Sequence, residues 1–294
     1  PLVSINRRER HDRNRYRAVN LHKHNGSHSL ISIYRTRKMK KLTLSLMLGL
    51  GLVSQIHDLT AEDSKPLDYN YLVLNETIIE DLAAFKALHS GWQSWLKNNN
   101  INLKEYSVWT DSQGHGYTAQ LFKSLAEVEE NHNNSRAAVA KYRSEHDELQ
   151  NLWIKMSASG KSSVWKIVDE LSTQPLKEDT TKKYEFRVNR LIQVKKGGVE
   201  DFITAQKEGR AIDKEVGVNY DERIYENVFG HDSPSYLVTT GSSDVHSYYS
   251  EWKERKDKRK NSPKFAELLG KYNQPIRRTE IRHLTFQKEL HYKP

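Results

Sequence analysis

From Tyr69 the chain alternates: Tyr69, Tyr71 and Val73 fall on one face and Asn70, Leu72 and Leu74 on the other. A two-residue period that is largely apolar on both faces predicts a strand covered on both sides. The period then changes, with Ile78, Leu82, Phe85, Leu88, Trp92 and Trp95 recurring at spacings of three and four up to Asn98-Asn99-Asn100. That is the stripe of an amphipathic helix with a polar stop. Glu105 to Asp111 and Tyr117 to Phe122 read as strands joined by Ser112-Gln113-Gly114-His115-Gly116, a loop of turn formers. A helical stretch follows from Ser124 to Met156, with a break expected near Asn131 to Asn134, and Ser162 to Val168 closes the run as a strand.

The same order returns downstream. Tyr184, Phe186 and Val188 alternate with Glu185, Arg187 and Asn189, and a helix is expected from Val199 to Glu215 behind Gly197-Gly198. Glu222 to Val228 and Ser235 to Thr240 form the hairpin pair. Ser242-Ser243-Asp244 supplies N-cap chemistry for a helix through Tyr248, Tyr249 and Trp252. Ser262-Pro263 interrupts it, a shorter helix passes through Phe265, Leu268 and Leu269, and Arg278 to Gln287 is the last strand. A single offset of 116 places Val108-Trp109 on Ile224-Tyr225, Gly114-His115 on Gly230-His231, Leu121 on Leu237 and Trp165 on Ile281. Repetition at one offset points to a tandem duplication.

Charge changes the picture at one end only. Up to Ala61 there are 12 Lys and Arg against Glu9, Asp12 and Asp58, which accounts for the whole formal charge of +9 and leaves 35 basic and 35 acidic residues beyond. A body without net charge lacks the footprint of a nucleic-acid binder. Within the leader, Met39-Lys40-Lys41 precedes the apolar run Leu42 to Val53, which has the form of a secretory signal over 39–61 and is too short to span a bilayer. Residues 1–38 read as sequence ahead of the true start, or as a disordered basic arm. There is no cysteine, so disulfides, thiol chemistry and a lipid-attachment site are excluded. The expectation is a periplasmic or secreted protein without a stable membrane anchor.

Each run is β-α-β-β-α-β, the split βαβ order of a ferredoxin-like fold. In that order and in its repetition the chain resembles the dimeric α/β-barrel superfamily, in an α+β version where two tandem ferredoxin-like units, 62–172 and 183–294 joined by 173–182, replace two subunits. The resemblance covers about residues 67 to 290 and carries no diagnostic motif. It implies an intramolecular pseudo-dimer, monomeric or part of a higher homo-oligomer, with a cavity on the sheet face opposite the helices. It also implies a choice among small monooxygenases, haem proteins and proteins without assigned chemistry, which fold alone does not make.

Strand alternation sorts the candidates. With Tyr184, Phe186, Val188 and Ile224 against the helices, Glu185, Arg187, Asn189, Arg223, Tyr225 and Asn227 face the cavity, joined by Trp109 as the counterpart of Tyr225 and by His283. Trp109, Arg187, Asn189, Arg223, Tyr225 and His283 would suit an aromatic or anionic small molecule. A structural account is also open, in which Arg187 pairs with Glu185 or Glu226 and Trp109 fills the interior. His115 and His231, near Asp111 and Asp232, are the metal-ligand candidates, but no HxH, HxxxH or HExxH spacing supports them and no metal is expected. His246 opens a helix ahead of Tyr248, Tyr249 and Trp252; haem proteins of the resembled superfamily use a histidine as axial ligand, but no motif here matches theirs, so nothing is carried over and a helix-surface position is the simpler account. The basic run Lys253 to Lys260 reads as a solvated helix end. The function expected is an exported small-molecule binder with no required cofactor, the alternative a monooxygenase-like or haem-dependent oxidoreductase using the same cavity.

Overall fold

The computed structural model describes residues 69–146, 157–173 and 184–294. The leader, the signal segment and most of the linker expected at 173–182 lie outside the described residues.

β1 (Tyr71–Ile79) carries the first alternating run. Ile78, expected to start a helix, belongs to this strand and is 42% exposed. The helix waits for an N-cap: Asp81 accepts from the Ala84 amide, and α1 (Leu82–Asn98) buries Phe85, Leu88, Trp92 and Trp95 as the stripe requires. Asn100 leaves it in the left-handed region at φ 52°, a conformation Asn tolerates. β2 (Ser107–Thr110) and β3 (His115–Phe122) follow. Next comes α2 (Leu125–Glu145), capped by Ser124 and continuous through Asn131 to Asn134. The expected break is absent because Asn131 is buried and its side-chain oxygen accepts from the Lys104 amide, which removes its competition for the helix backbone. β4 (Ser157–Ile167) completes the first half.

The second half holds β5 (Phe186–Val194), α3 (Val199–Glu215), β6 (Glu222–Phe229), β7 (Ser235–Ser242), α4 (Val245–Arg259), α5 (Lys264–Asn273) and β8 (Ile276–Phe286). Asp244 caps α4, accepting from the Ser247 amide.

The strands close into one antiparallel barrel in the order β1-β3-β2-β8-β5-β7-β6-β4. Each half therefore has the same internal order, first strand beside its third and fourth. Closure removes every sheet edge. The register corrects the constant offset. Tyr71 and Phe186 hold equivalent ladder places, as do Trp109 and Tyr225, Phe122 and Ser242, and Lys166 and Thr285. The offset drifts because the β6–β7 connection is longer than the β2–β3 one. The match of Trp109 with Tyr225 holds, since each faces its own third strand, at Tyr117 and Leu237, and the other half's last strand, at Phe286 and Ile167. Leu121 with Leu237, Trp165 with Ile281 and His115 with His231 are not equivalent places.

The halves also exchange their tails. After β4, a 3-10 turn (Asp169–Leu171) buries Leu171 in the core under α3 with Ile192, Phe202 and Ile224, and Thr173 bridges Glu222. After β8, the turn Lys288–Leu290 buries Leu290 and then Tyr292 in the core under α1 with Leu88, Leu96 and Val108, and Tyr292 bridges Tyr106. Each half thus completes the other's helix-facing core. The barrel interior is a separate layer, built on Leu72, Leu121, Trp165, Tyr225 and Leu237 and continued by Trp109, Tyr117 and Leu284.

Candidate functional site

Parity along the strands decides what enters the barrel. Phe186 and Val188 pack on Tyr248 of α4 and Ile224 packs under α3, so Arg187, Asn189, Arg223 and Tyr225 point inward as expected. Tyr184 does not join Phe186. Its ring lies over Gly241, where an added Cβ would come within 2.8 Å, and it shares the surroundings of Arg187 and Arg223. His283 stands on the outer face, with Nε2 2.8 Å from the Tyr249 hydroxyl and its ring 6.0 Å from Phe186.

Trp109, Arg187, Arg223 and Tyr225 do come together, at the barrel end where β5 and β6 begin. The Arg187 guanidinium lies 5.2 Å from the centre of the Trp109 ring, a cation–π contact. Arg223 Nε lies 3.4 Å from Asp221. Neither Glu185 nor Glu226 pairs with Arg187: among the described residues Arg187 has no carboxylate within ion-pair distance, and its covered Nε has no acceptor. Burial, with Arg223 adding to it against the pull of Asp221, lowers the Arg187 pKa.

A pocket of about 170 Å³ lies outside the start of β6, lined by Tyr184, Tyr220, Asp221 and Gly241 with Glu251 and Arg255 of α4; the other space lies within the barrel where β1 and β5 finish. A cavity of about 200 Å³ is walled by Leu74, Leu191, Leu237 and Trp165, with Tyr117 and Asn189 deeper in and Glu76, Lys161, Arg278, Glu280, Arg282 and His231 toward the mouth. Of the six residues singled out in the sequence, Asn189 lines it. The tripeptide Ser-Val-Trp occurs twice, at 107–109 and 163–165; Trp165 lines this cavity, whereas Trp109 stacks on Arg187. In each the serine hydroxyl accepts the indole N–H, at 2.9 Å for Trp109 and 2.8 Å for Trp165, and the central valine is fully buried outside the barrel.

Polar capacity around the mouth is unevenly used. Asp111 accepts from the Gln113 and His115 amides and lies 3.0 Å from His115 Nδ1. The Tyr117 hydroxyl sits 3.3 Å from Glu76 and 3.4 Å from Asp111; burial, then these two carboxylates, hold the phenol well above its ordinary pKa. Glu280 is paired with Arg278 at 2.5 Å. The acids are therefore engaged. The cations are less so. Lys161 Nζ donates to His231 Nδ1 at 2.8 Å, and burial followed by that ammonium lowers His231 to about 4, so the partner is a neutral ring. Arg282 reaches the side-chain oxygen of Gln113 and lies 3.9 Å from Asp111.

His231 owes its place to the longer second hairpin. Gly230, at φ +97°, passes so close to β4 that an added Cβ would meet the Ser162 carbonyl and lie 2.6 Å from Ser163 Cα; only glycine lets this loop bring His231 to Lys161 and to within 5.0 Å of the Trp165 ring. Neither His115 nor His231 joins a metal set: no group of three or more His, Asp or Glu among the described residues is arranged to hold an ion.

A haem does not fit the described residues. His246 is exposed at the start of α4, the space beneath that helix is occupied by Phe186, Val188 and Tyr248, and the described cavity is below the roughly 300–1,000 Å³ usual for cofactor-sized ligands.

No protein-family model matches the chain, and no curated protein matches it. Solved structures that are similar include a putative monooxygenase from Fusobacterium nucleatum, with 12% identity, TM-score 0.49, and coverage of 78% of this chain and 100% of that one. A putative monooxygenase from Lactobacillus acidophilus has 11% identity, TM-score 0.47 and coverage of 76% and 96%. A mutant chlorite dismutase from Candidatus Nitrospira defluvii has 8% identity, TM-score 0.44 and coverage of 76% and 92%. At these values the likeness assigns no chemistry.

Proposed function

We propose that this chain is an exported tandem pseudo-dimer of the dimeric α/β-barrel kind that binds a small anionic molecule with an apolar body in the mouth of its barrel. One observation carries the reading: the cavity joins an apolar wall of Leu74, Leu191, Leu237 and Trp165 to a rim whose carboxylates are engaged while Lys161 and Arg282 keep donors to spare. An aromatic carboxylate satisfies both. Its ring displaces water from apolar surface, and its oxygens take charge-assisted hydrogen bonds. Calorimetric titration of the full chain with benzoate tests this. Binding should occur and should weaken roughly tenfold or more in Arg282→Ala, because a hydrogen bond to a charged group contributes about 1.5–3 kcal/mol. Absence of heat with benzoate and with its aliphatic analogues would remove the reading.

A second reading, an oxidoreductase of monooxygenase type in the same cavity, is favoured by acid–base groups at the wall, Tyr117 lining it and Asp111 and His115 standing behind Tyr117. Asp111 fixes His115 through Nδ1, and Tyr117 lies between two carboxylates, an arrangement able to take a proton from a bound phenol or enol. It differs in readout: oxygen uptake that His115→Gln abolishes while binding persists.

A further inference from the structure

The outer face of the second half carries an apolar stripe left open to solvent. Val245, Tyr249 and Trp252 follow one side of α4 at spacings of four and three, and they are 51%, 49% and 45% exposed. The stripe continues onto the sheet. The Tyr249 hydroxyl lies 2.8 Å from His283 Nε2 on β8, and Ile281, two residues back on the same outer face, is 52% exposed. Apolar residues scattered singly on a surface are ordinary; four joined across a helix and a strand mark a place of contact.

Charge says what is contacted. Most of the basic run Lys253 to Lys260 is already engaged: Arg255 is buried against Tyr220, Lys258 pairs with Glu254 at 2.8 Å, Arg259 with Asp213 at 2.5 Å and Lys260 with Asp257 at 2.8 Å. Lys253 and Lys256 remain, with no carboxylate at ion-pair distance among the described residues. Each stands one helical turn after an exposed aromatic, Lys253 after Tyr249 and Lys256 after Trp252. Lys256 Nζ lies 5.2 Å from the centre of the Trp252 ring. With Glu254 and Asp257 taken up by their own lysines, the stripe has a positive border.

A second copy of the chain, packed through this patch about a two-fold axis, would set Lys253 and Lys256 against their own equivalents. Nucleic-acid phosphate would meet the lysines but give Val245 and Ile281 nothing apolar to enter. An anionic bilayer serves both: tryptophan and tyrosine rings settle at headgroup depth, aliphatic side chains leave water, and lysines reach the headgroups while their stems lie along the apolar layer. We infer that the α4–β8 face docks this protein on an anionic lipid surface, with Val245, Tyr249, Trp252 and Ile281 entering the interface and Lys253 and Lys256 meeting the headgroups.

The experiment reads where the full chain meets lipid. The chain has no cysteine, so a fluorophore on Val245→Cys reports the stripe. One on Leu125→Cys, a residue that like Val245 directly follows a helix N-cap and is 45% exposed, reports the corresponding helix of the first half. Vesicles of phosphatidylcholine, alone or in equal parts with phosphatidylglycerol, carry a nitroxide lipid as quencher. The anionic vesicles should quench the label at 245 and leave the label at 125 bright, and the neutral vesicles should quench neither. Lys253→Glu combined with Lys256→Glu should raise the lipid concentration for half-quenching at 245 roughly tenfold or more, because each cation near an anionic surface adds to binding. Trp252→Ser should raise it as well. Equal quenching at both labels would assign the contact to the basic leader and overturn the inference, as would no quenching at 245 or quenching that the double charge reversal leaves unchanged. A spectral shift at 245 that grows with protein concentration and needs no lipid would give the stripe to a second copy instead. Thermal melts check each variant, and if one fails to fold, the comparison of the two labels without further substitution still decides.

Discussion

Single side chains show where charge is tolerated and where it is costly. Arg187 was expected to anchor a ligand; it stacks on Trp109, does not line the cavity described above, and among the described residues has no carboxylate partner. A buried cation so placed contributes little net stability, since desolvation offsets what it gains. Arg187→Met should change unfolding free energy by no more than about 1 kcal/mol and leave benzoate affinity unaltered; loss of binding would return the site to the Trp109 end. His89 makes the opposite point about pH. It is buried on α1 against Phe85 and Tyr106, and burial lowers its pKa from 6.5 to about 4. Between those values the unfolded chain takes up the proton and the folded chain does not, so stability is complete above pH 6.5 and falls as pH drops toward 4. Urea midpoints measured from pH 7 to 4 should decline, and less steeply in His89→Phe. An identical decline in both proteins would assign the acid sensitivity elsewhere.

At the scale of elements, the helices and strands were legible because each apolar period is long; of the working caps Asp81, Ser124 and Asp244, the sequence pattern singled out Asp244, and missing Asp81 put Ile78 in the helix. The inward parity of Arg187, Asn189, Arg223 and Tyr225 followed from the same alternation. What the pattern could not convey was depth. Parity says which face a residue takes and nothing about which end of the barrel stays open, and that depends on where Tyr184 folds and how far the β6–β7 loop reaches. A single offset concealed the length of that loop and hence the mismatch of His115 with His231. Charged residues between sheet and helix were equally hidden. Glu222 of β6 is buried with Arg190 of β5, Arg210 of α3 and the Thr240 hydroxyl. Burial alone would raise its pKa, but Arg190 and Arg210 outweigh it and hold Glu222 at about 2. Nearby, Asp213 takes Arg259 of α4 at 2.5 and 2.7 Å. Glu222→Leu strands two guanidinium groups and should cost about 3–5 kcal/mol in chemical unfolding. A loss under 1 kcal/mol would mean that solvent or Asp213 compensates them.

For the whole molecule, the exchanged tails matter more than the ladders that close the barrel. β2 meets β8 through two ladder pairs, Trp109 with Phe286 and Thr110 with Thr285, whereas Leu290 and Tyr292 cross to the other half and are 0% and 2% exposed there. Tyr292 stacks on Tyr106 with ring centres 5.2 Å apart and donates to the Ile101 carbonyl. Ending the chain after Gln287 should therefore lower the stability of the first half by more than the roughly 3–5 kcal/mol of one large aromatic truncation. The protection of α1 amides against hydrogen exchange should fall while that of α3 persists. Uniform loss in both halves would show that they unfold only as one body, and no loss would show the tail to be dispensable.

The central claim is the location of the ligand. Backbone amide shifts of the isotopically labelled full chain, followed during titration with benzoate, test it most directly. The changes should converge on Glu76, Tyr117, Lys161, Asn189, His231 and Arg282 at the mouth of the barrel. Changes centred instead on Arg187, Arg223 and Tyr225, or on α3 and α4, would contradict the account.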